Sequence, residues 1–189
     1  MSQQTDFLLP PDLPRPVDDG AARHLIGTLM PKILLCSTAG RIIDVSDLGA
    51  PRTVIYCYPM TGVPGKPLPE GWDLIPGARG CTPQTCGFRD HHEELRALHA
   101  EVFGLSTQST EYQREMAERL HLPFEILSDA VFELCEALRL PTFEASGVRL
   151  LKRLTLIVRE GRIEHVFYPV FPPNESADEV LRWLREKVI

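Results

Sequence analysis

Two cysteines five residues apart, in Gly80-Cys81-Thr82-Pro83-Gln84-Thr85-Cys86-Gly87-Phe88-Arg89-Asp90, are the side chains best suited to chemistry in this sequence. Proline is tolerated in the first turn of a helix, where its missing N–H has no partner to lose, and it pushes the residue before it out of the helical region. Pro83 therefore predicts a helix start, with Thr82 as its N-cap. Unpaired N–H groups and the positive end of the helix dipole then lie close to Cys81, and both favour a thiolate over a thiol.

The spacing carries a second message. On an ideal helix a five-residue step advances about 7.5 Å and turns about 140° beyond a full turn, so the two sulfurs point apart. A disulfide needs α-carbons within roughly 7 Å, which such a helix does not provide. For Cys81 and Cys86 to bond, the first turn or two must unwind. That geometry suits a redox cycle that opens and closes better than a structural staple.

The elements that must hold this pair are legible in the rest of the chain. Ile33-Leu34-Leu35-Cys36 and Arg41-Ile42-Ile43 flank Thr38-Ala39-Gly40, predicting an N-terminal hairpin. Thr53-Val54-Ile55-Tyr56-Cys57-Tyr58 is a continuous apolar run, as expected of a strand buried on both faces. Residues 59–77 interleave Pro59, Pro64, Pro67, Pro69 and Pro76 with Gly62, Gly65, Gly71 and Gly77, which predicts a long loop. Phe88, Leu95, Leu98 and Val102 form a helical stripe, Val102 also opening a strand with Phe103-Gly104-Leu105.

A helix carrying Tyr112, Met116 and Leu120 follows, then a strand at Phe124-Glu125-Ile126-Leu127. Val131, Leu134, Cys135 and Leu138 keep helical spacing, burying Cys135. Leu154-Thr155-Leu156-Ile157-Val158 and Ile163-Glu164-His165-Val166-Phe167 flank Glu160-Gly161, a hairpin. The last helix is expected to start at Ser176 with a capping box to Glu179, and to bury Val180, Leu181, Leu184 and Val188. Alternation of this kind predicts an α/β fold with a central mixed β-sheet flanked by helices.

Length and composition bound the function. At 189 residues the chain reads as a 1–25 extension, lying on the surface or disordered, before one domain over 26–189. The net charge of -6 argues against nucleic-acid or anionic-membrane partners. The N-terminus lacks a basic region, and Phe7-Leu8-Leu9 is stopped by Pro10-Pro11, so no signal peptide is expected. No run is long enough to span a bilayer. Five cysteines in no disulfide framework predict a reducing, cytoplasmic setting. Cys36, Cys57 and Cys135 read as small core hydrophobes. His91 and His92 match no zinc spacing and read as helix-surface or core residues, and neither a metal nor a cofactor is expected. Trp72 is expected to pin the long loop to the domain.

A central strand, a reactive cysteine opening a helix and a closing hairpin and helix make a thioredoxin-like arrangement. Gly80-Cys81-Thr82 with Cys86 and Phe88-Arg89-Asp90 resembles the active-site helix of Q-type peroxiredoxins, also called bacterioferritin comigratory proteins. Gly104-Leu105-Ser106-Thr107, Phe124-Glu125-Ile126-Leu127-Ser128-Asp129, Arg153-Leu154-Thr155-Leu156-Ile157 and Gly161-Arg162-Ile163-Glu164-His165-Val166-Phe167 extend the resemblance, in order, from about Gly27 onward. It implies a thioredoxin-like fold and a thiol peroxidase. It also implies that Cys81 is the peroxidatic cysteine, Cys86 the resolving cysteine joined to it in an intramolecular disulfide, and Arg153 the cation that stabilises thiolate and peroxide. Hydrogen peroxide and organic hydroperoxides are the implied substrates, thioredoxin or a glutaredoxin system the reductant, and a monomer or weak homodimer the assembly.

The sequence departs from the family at one point. The usual Pro-x-x-x-Thr-x-x-Cys motif has Ala78 three residues before Cys81 and Arg79 two before it, so residues 59–77 read as an insertion that splits the motif. Thr61, near Pro59 at the end of the central strand, is then the candidate for the hydroxyl that orients the peroxide. Thr82 competes for that role, Arg79 can add positive charge, and Gln84 stands where the family often has glutamate. Two rivals remain at this level. One is a dithiol oxidoreductase of another kind, which would usually carry Cys-x-x-Cys; the other is a noncatalytic redox-sensing or metal-binding module using the same cysteines.

Overall fold

The described residues form a seven-stranded mixed sheet with a separate two-stranded arm. The computed structural model describes residues 9–187. The hairpin β1 (Leu34–Ser37) and β2 (Ile42–Asp44) forms as expected, and β3 (Arg52–Cys57) is buried at every position. Two helices, α1 (Cys81–Asp90) and α2 (His92–Ala97), lead to β4 (Ala100–Ser106), which lies parallel to β3. Then α3 (Thr110–Arg119) crosses to β5 (Glu125–Ser128), parallel to β4. After α4 (Glu133–Leu138) come the arm β6 (Thr142–Ala145) and β7 (Val148–Leu151), the hairpin β8 (Leu154–Arg159) and β9 (Arg162–Phe167), and α5 (Ser176–Glu186).

The large sheet, ordered β2-β1-β5-β4-β3-β8-β9, has a core on each face. Phe88 of α1, Leu95 of α2, Met116 of α3 and Val180, Leu181 and Leu184 of α5 pack against Val54, Tyr56, Val102 and Ile126. On the other face Leu134, Cys135 and Leu138 of α4 join Leu25, Met30 and Leu35 over Ile55, Cys57, Leu105 and Leu156. Both β3-α-β4 and β4-α-β5 crossovers therefore cover one face, as right-handed connections moving in one direction along a sheet require.

Several details differ from the sequence reading. Packed structure begins within the 1–25 extension, because Ala22 and Leu25, beside and in a 3-10 turn, are drawn into the core. Asp19 is bonded there to Lys152 and to the Tyr168 hydroxyl. Helix α1 starts at Cys81 with Gly80 as N-cap, so Thr82 is the second helical residue and does not cap. Proline fits any of the first positions, all of which lack an intrahelical acceptor, and Pro83 marks the turn without fixing its first residue.

Val102 belongs to β4 alone. Val131 is 80% exposed and lies before α4, whose first turn is held instead by Asp129, accepting from the N–H groups of Leu134 and Cys135. Ser176 is the first residue of α5, preceded by a 3-10 turn, and its hydroxyl accepts from Gln84 in place of forming a capping box. Cys36 is exposed, because β1 alternates and turns Leu35 and Ser37 inward; Cys57 and Cys135 are buried as expected. Val188 lies outside the described residues.

Candidate active site

Strand register brings the reactive groups together. Parallel pairing sets Cys57 of β3 beside Leu105 of β4, and antiparallel pairing sets it beside Leu154 of β8. The segments leaving β3 and β4 and the one entering β8 therefore meet at one end of the sheet, the carboxyl end of the parallel strands where α/β folds place their ligands. Thr61, Gln108 and Arg153 lie on those three segments.

Cys81 is 4% exposed and is the first residue of α1. Gly80 must adopt a φ of 106° to turn the chain into the helix, and a Cβ there would lie 2.3 Å from Cγ of Pro173. Glycine is thus required both by conformation and by space. The Arg153 guanidinium approaches the sulfur, with Nη2 3.2 Å from Sγ. The same Nη2 donates to the carbonyls of Ala78 (3.0 Å) and Arg79 (3.2 Å), and Nη1 donates to Oε1 of Gln84. Gln84 in turn donates to the Ser176 hydroxyl, 3.2 Å away. Arg153 is itself buried at 3% exposure, and its Nε has no partner among the described residues. A buried guanidinium so fixed is a permanent cation aimed at the sulfur.

Thr61 and Cys81 line one cavity of about 190 Å³, together with residues of the 59–77 loop, Thr82 and Arg79. Thr61 is 1% exposed. Its N–H (2.9 Å) and hydroxyl (3.2 Å) both donate to Oε1 of Gln108, whose Nε2 donates back to the Thr61 carbonyl at 3.1 Å. The Tyr112 hydroxyl adds a second bond to that carbonyl, at 3.0 Å. Ala78, at the position where the family motif has threonine, contributes only its carbonyl. Thr82, the competing hydroxyl, lines the same cavity, so the cavity itself does not choose between them. Trp72 is buried against Ala78, Ala145, Leu150 and Phe143, fastening the long loop to the β6-β7 arm.

Cys86 faces elsewhere. It lines a different surface recess with Gly87, Asp90 and Asn174, and both thiols are unbonded. Burial raises the Cys86 thiol above its ordinary pKa, only partly offset by Arg89. Between the two cysteines the helix is held by Thr85, whose hydroxyl accepts from Tyr56, and just past Cys86 by Phe88, stacked on Tyr56 with centroids 4.5 Å apart. Burial likewise holds Cys57 strongly protonated and pushes Cys135 up to about 11. His91 pairs with Glu94 and Asp178, and His92, packed near Phe124, has its pKa lowered by burial. Among the described residues no cluster of three or more His, Cys, Asp or Glu could hold a metal ion, and no helix is long and apolar enough to cross a membrane.

Gln108, Tyr112 and Ser176 were not singled out for the site from the sequence. Their roles are contacts across 47, 51 and 92 residues, which no local pattern encodes. The one available signal was Gln108 itself, a polar residue just past the Gly104-Leu105-Ser106-Thr107 strand end.

Comparison with known proteins gives the family. The Redoxin family model matches residues 25–181. Peroxiredoxin Bcp of Escherichia coli is 30% identical over 164 residues, 85% of this chain and 95% of that protein. The chloroplastic Peroxiredoxin Q of Sedum lineare is 28% identical, over 84% of this chain and 77% of its own length. Among solved structures, a Xanthomonas campestris bacterioferritin comigratory protein, described for its alkyl peroxide reduction activity, superposes with a TM-score of 0.70 at 20% identity. That match covers 87% of this chain and 99% of the other, and it supports the fold. The thioredoxin-like α/β sheet, the cysteine opening α1 and these relatives together place the chain in the redoxin family, among the Bcp and Q-type peroxiredoxins, which are thiol peroxidases.

Proposed function

We propose that Cys81 is the peroxidatic cysteine of this thiol peroxidase, Cys86 its resolving cysteine, Arg153 the cation that stabilises the reacting charges, and Thr61 the hydroxyl that orients the peroxide. The observation that carries the reading is the Arg153 guanidinium, buried and 3.2 Å from the Cys81 sulfur. The Cys81 thiolate attacks the terminal oxygen of the hydroperoxide and the O–O bond breaks. Its electron pair leaves on the alkoxide, which takes a proton from solvent, while Cys81 becomes a sulfenic acid. Donors fixed beside the breaking bond stabilise the charge that moves onto the leaving oxygen, and they need no reorganisation to do so. Cys86, kept protonated by burial, does not compete for peroxide.

Resolution follows when the Cys86 sulfur displaces water from the sulfenic acid and forms the disulfide. In the folded helix the two side chains line separate recesses, so the segment from Cys81 to Cys86 must unwind and give up the Gln84 bonds to Arg153 and Ser176. An external dithiol then exchanges with the disulfide, thioredoxin being the expected donor and a glutaredoxin system the second. Peroxides of both classes, inorganic and alkyl, fall within this chemistry. We also assign residues 59–77 as an insertion in the domain that follows the N-terminal extension, and a monomer or weak homodimer as the assembly.

The test is peroxide consumption by the reduced protein. Wild type is expected to consume peroxide far faster than a free thiol, Cys81→Ser to lose this, and Cys86→Ser to complete one turnover and accumulate the sulfenic acid. Failure of Cys86→Ser to form any sulfenic acid would falsify the assignment of roles.

A further inference from the structure

The 59–77 loop does more than cover the site, because it supplies most of the wall of the cavity that reaches Cys81. Met60, Val63, Leu68 and Trp72 give that wall an apolar surface. The charged residues that line it, Lys66, Arg79 and Arg119, are all cations, in a protein whose net charge is -6. Two of them are already engaged: Arg79 pairs with Asp73 at 3.3 Å and Arg119 with Glu115 at 2.7 Å. Lys66 is exposed and makes no ion pair among the described residues. A cavity lined by one sign of charge raises the local concentration of the opposite sign.

We infer that this cavity selects short organic hydroperoxides carrying a carboxylate, with Lys66 as the residue that recognises the anionic end. The hydroperoxide group lies against Cys81, the carbon chain against Met60, Leu68 and Trp72, and the carboxylate reaches Lys66 near the mouth. At about 190 Å³ the cavity is smaller than the roughly 300–1,000 Å³ of sites that enclose drug-sized ligands. It therefore fits a compact substrate. The inference rests on the peroxidase assignment above and adds a preference within it. Residues of the long loop, which has no counterpart in the short family motif, supply that preference.

The test compares γ-hydroperoxyisocaproate with its methyl ester, which share the reacting group and differ by one charge. Wild type is expected to show kcat/KM about two- to fivefold higher for the acid, as one exposed ion pair would give. Added salt should erode the preference. Lys66→Gln should abolish it and Lys66→Glu reverse it in favour of the ester. Equal rates for acid and ester in wild type, or a preference unchanged in Lys66→Glu, overturns the inference while leaving the peroxidase assignment intact. Binding of unreactive isocaproate to Cys81→Ser protein, followed by calorimetry, reads the same site without turnover. Isocaproate bound more tightly than methyl isocaproate, with the difference lost in Lys66→Gln, supports the anion site even if neither hydroperoxide is reduced, and no difference overturns it.

Discussion

At the residue scale, the proposed site sets one fixed guanidinium against the Cys81 sulfur, with Thr61 held in the wall of the same cavity. Arg153 divides its guanidinium among Cys81, the Ala78 and Arg79 carbonyls and Gln84, so its position is set by several bonds and not by the sulfur alone. Thr61 is held in the same way, its N–H and C=O paired with the Gln108 amide much as strand neighbours pair. Removing a preorganised donor from a reacting centre typically costs about a hundredfold or more in rate. Thr61→Val is accordingly expected to lower kcat/KM for hydrogen peroxide by about that factor, with Thr61→Ser retaining most of it. Full activity in Thr61→Val would transfer the role to Thr82. Gln108→Ala should lower activity less than Thr61→Val, since Tyr112 still holds the Thr61 carbonyl. Cys81 and Cys86 could be read from their spacing and from Pro83, whereas Arg153 could be assigned only through the family resemblance. Gln108 escaped because its amide acts only once β3 and β4 are side by side.

At the element scale, the proposed cycle requires α1 to begin at one defined residue and yet to come apart when Cys81 and Cys86 bond. Gly80 sets that start, and the space for a side chain there is closed by Pro173 and by Leu9 at 2.9 Å. Gly80→Ala would add strain on the order of 1–3 kcal/mol from backbone conformation, before any steric term. It is expected to lower the melting temperature by several degrees and to slow Cys81 oxidation, readable by thermal unfolding and stopped-flow fluorescence. An unchanged melting temperature would contradict the tight seating of this turn. Beyond the first turns, Phe88 stacked on Tyr56 keeps the rest of α1 attached to the sheet. Sequence patterns located α1 correctly but placed its cap late, since proline is equally at home at several positions of a first turn. They also assigned Val131 to α4 by spacing alone, although Asp129 and Phe132 end the preceding turn before that helix begins.

At the scale of the whole molecule, the order of the large sheet's strands was legible because each carries its own apolar run and each crossover a helical stripe. The β6-β7 arm was not recognised: its strands are short, only partly buried, and acquire their role by packing on Trp72 from the long loop. The C-terminal end of α5 is fastened by Arg52, whose side chain makes two bonds to Glu164 (2.8 and 3.0 Å) and one to the Lys187 carbonyl. That pairing holds the Glu164 carboxyl below its ordinary pKa. Its stabilising contribution is therefore complete above the unfolded value of about 4.3 and fades as pH falls through the lower folded value. Glu164→Gln should reduce stability at neutral pH, and the gap from wild type should narrow on acidification; a gap independent of pH would contradict the ion pair's role. The central claim joins all three scales, since a fixed sulfur, an unwinding helix and an otherwise intact sheet must act in one cycle. The most direct measurement is peptide mapping of the protein after one equivalent of hydrogen peroxide, with hydrogen exchange on the same sample. The account predicts an intramolecular Cys81–Cys86 disulfide and loss of protection confined to the start of α1. A disulfide from Cys81 to any other cysteine, or a Cys81–Cys86 bond with α1 still fully protected, would contradict it.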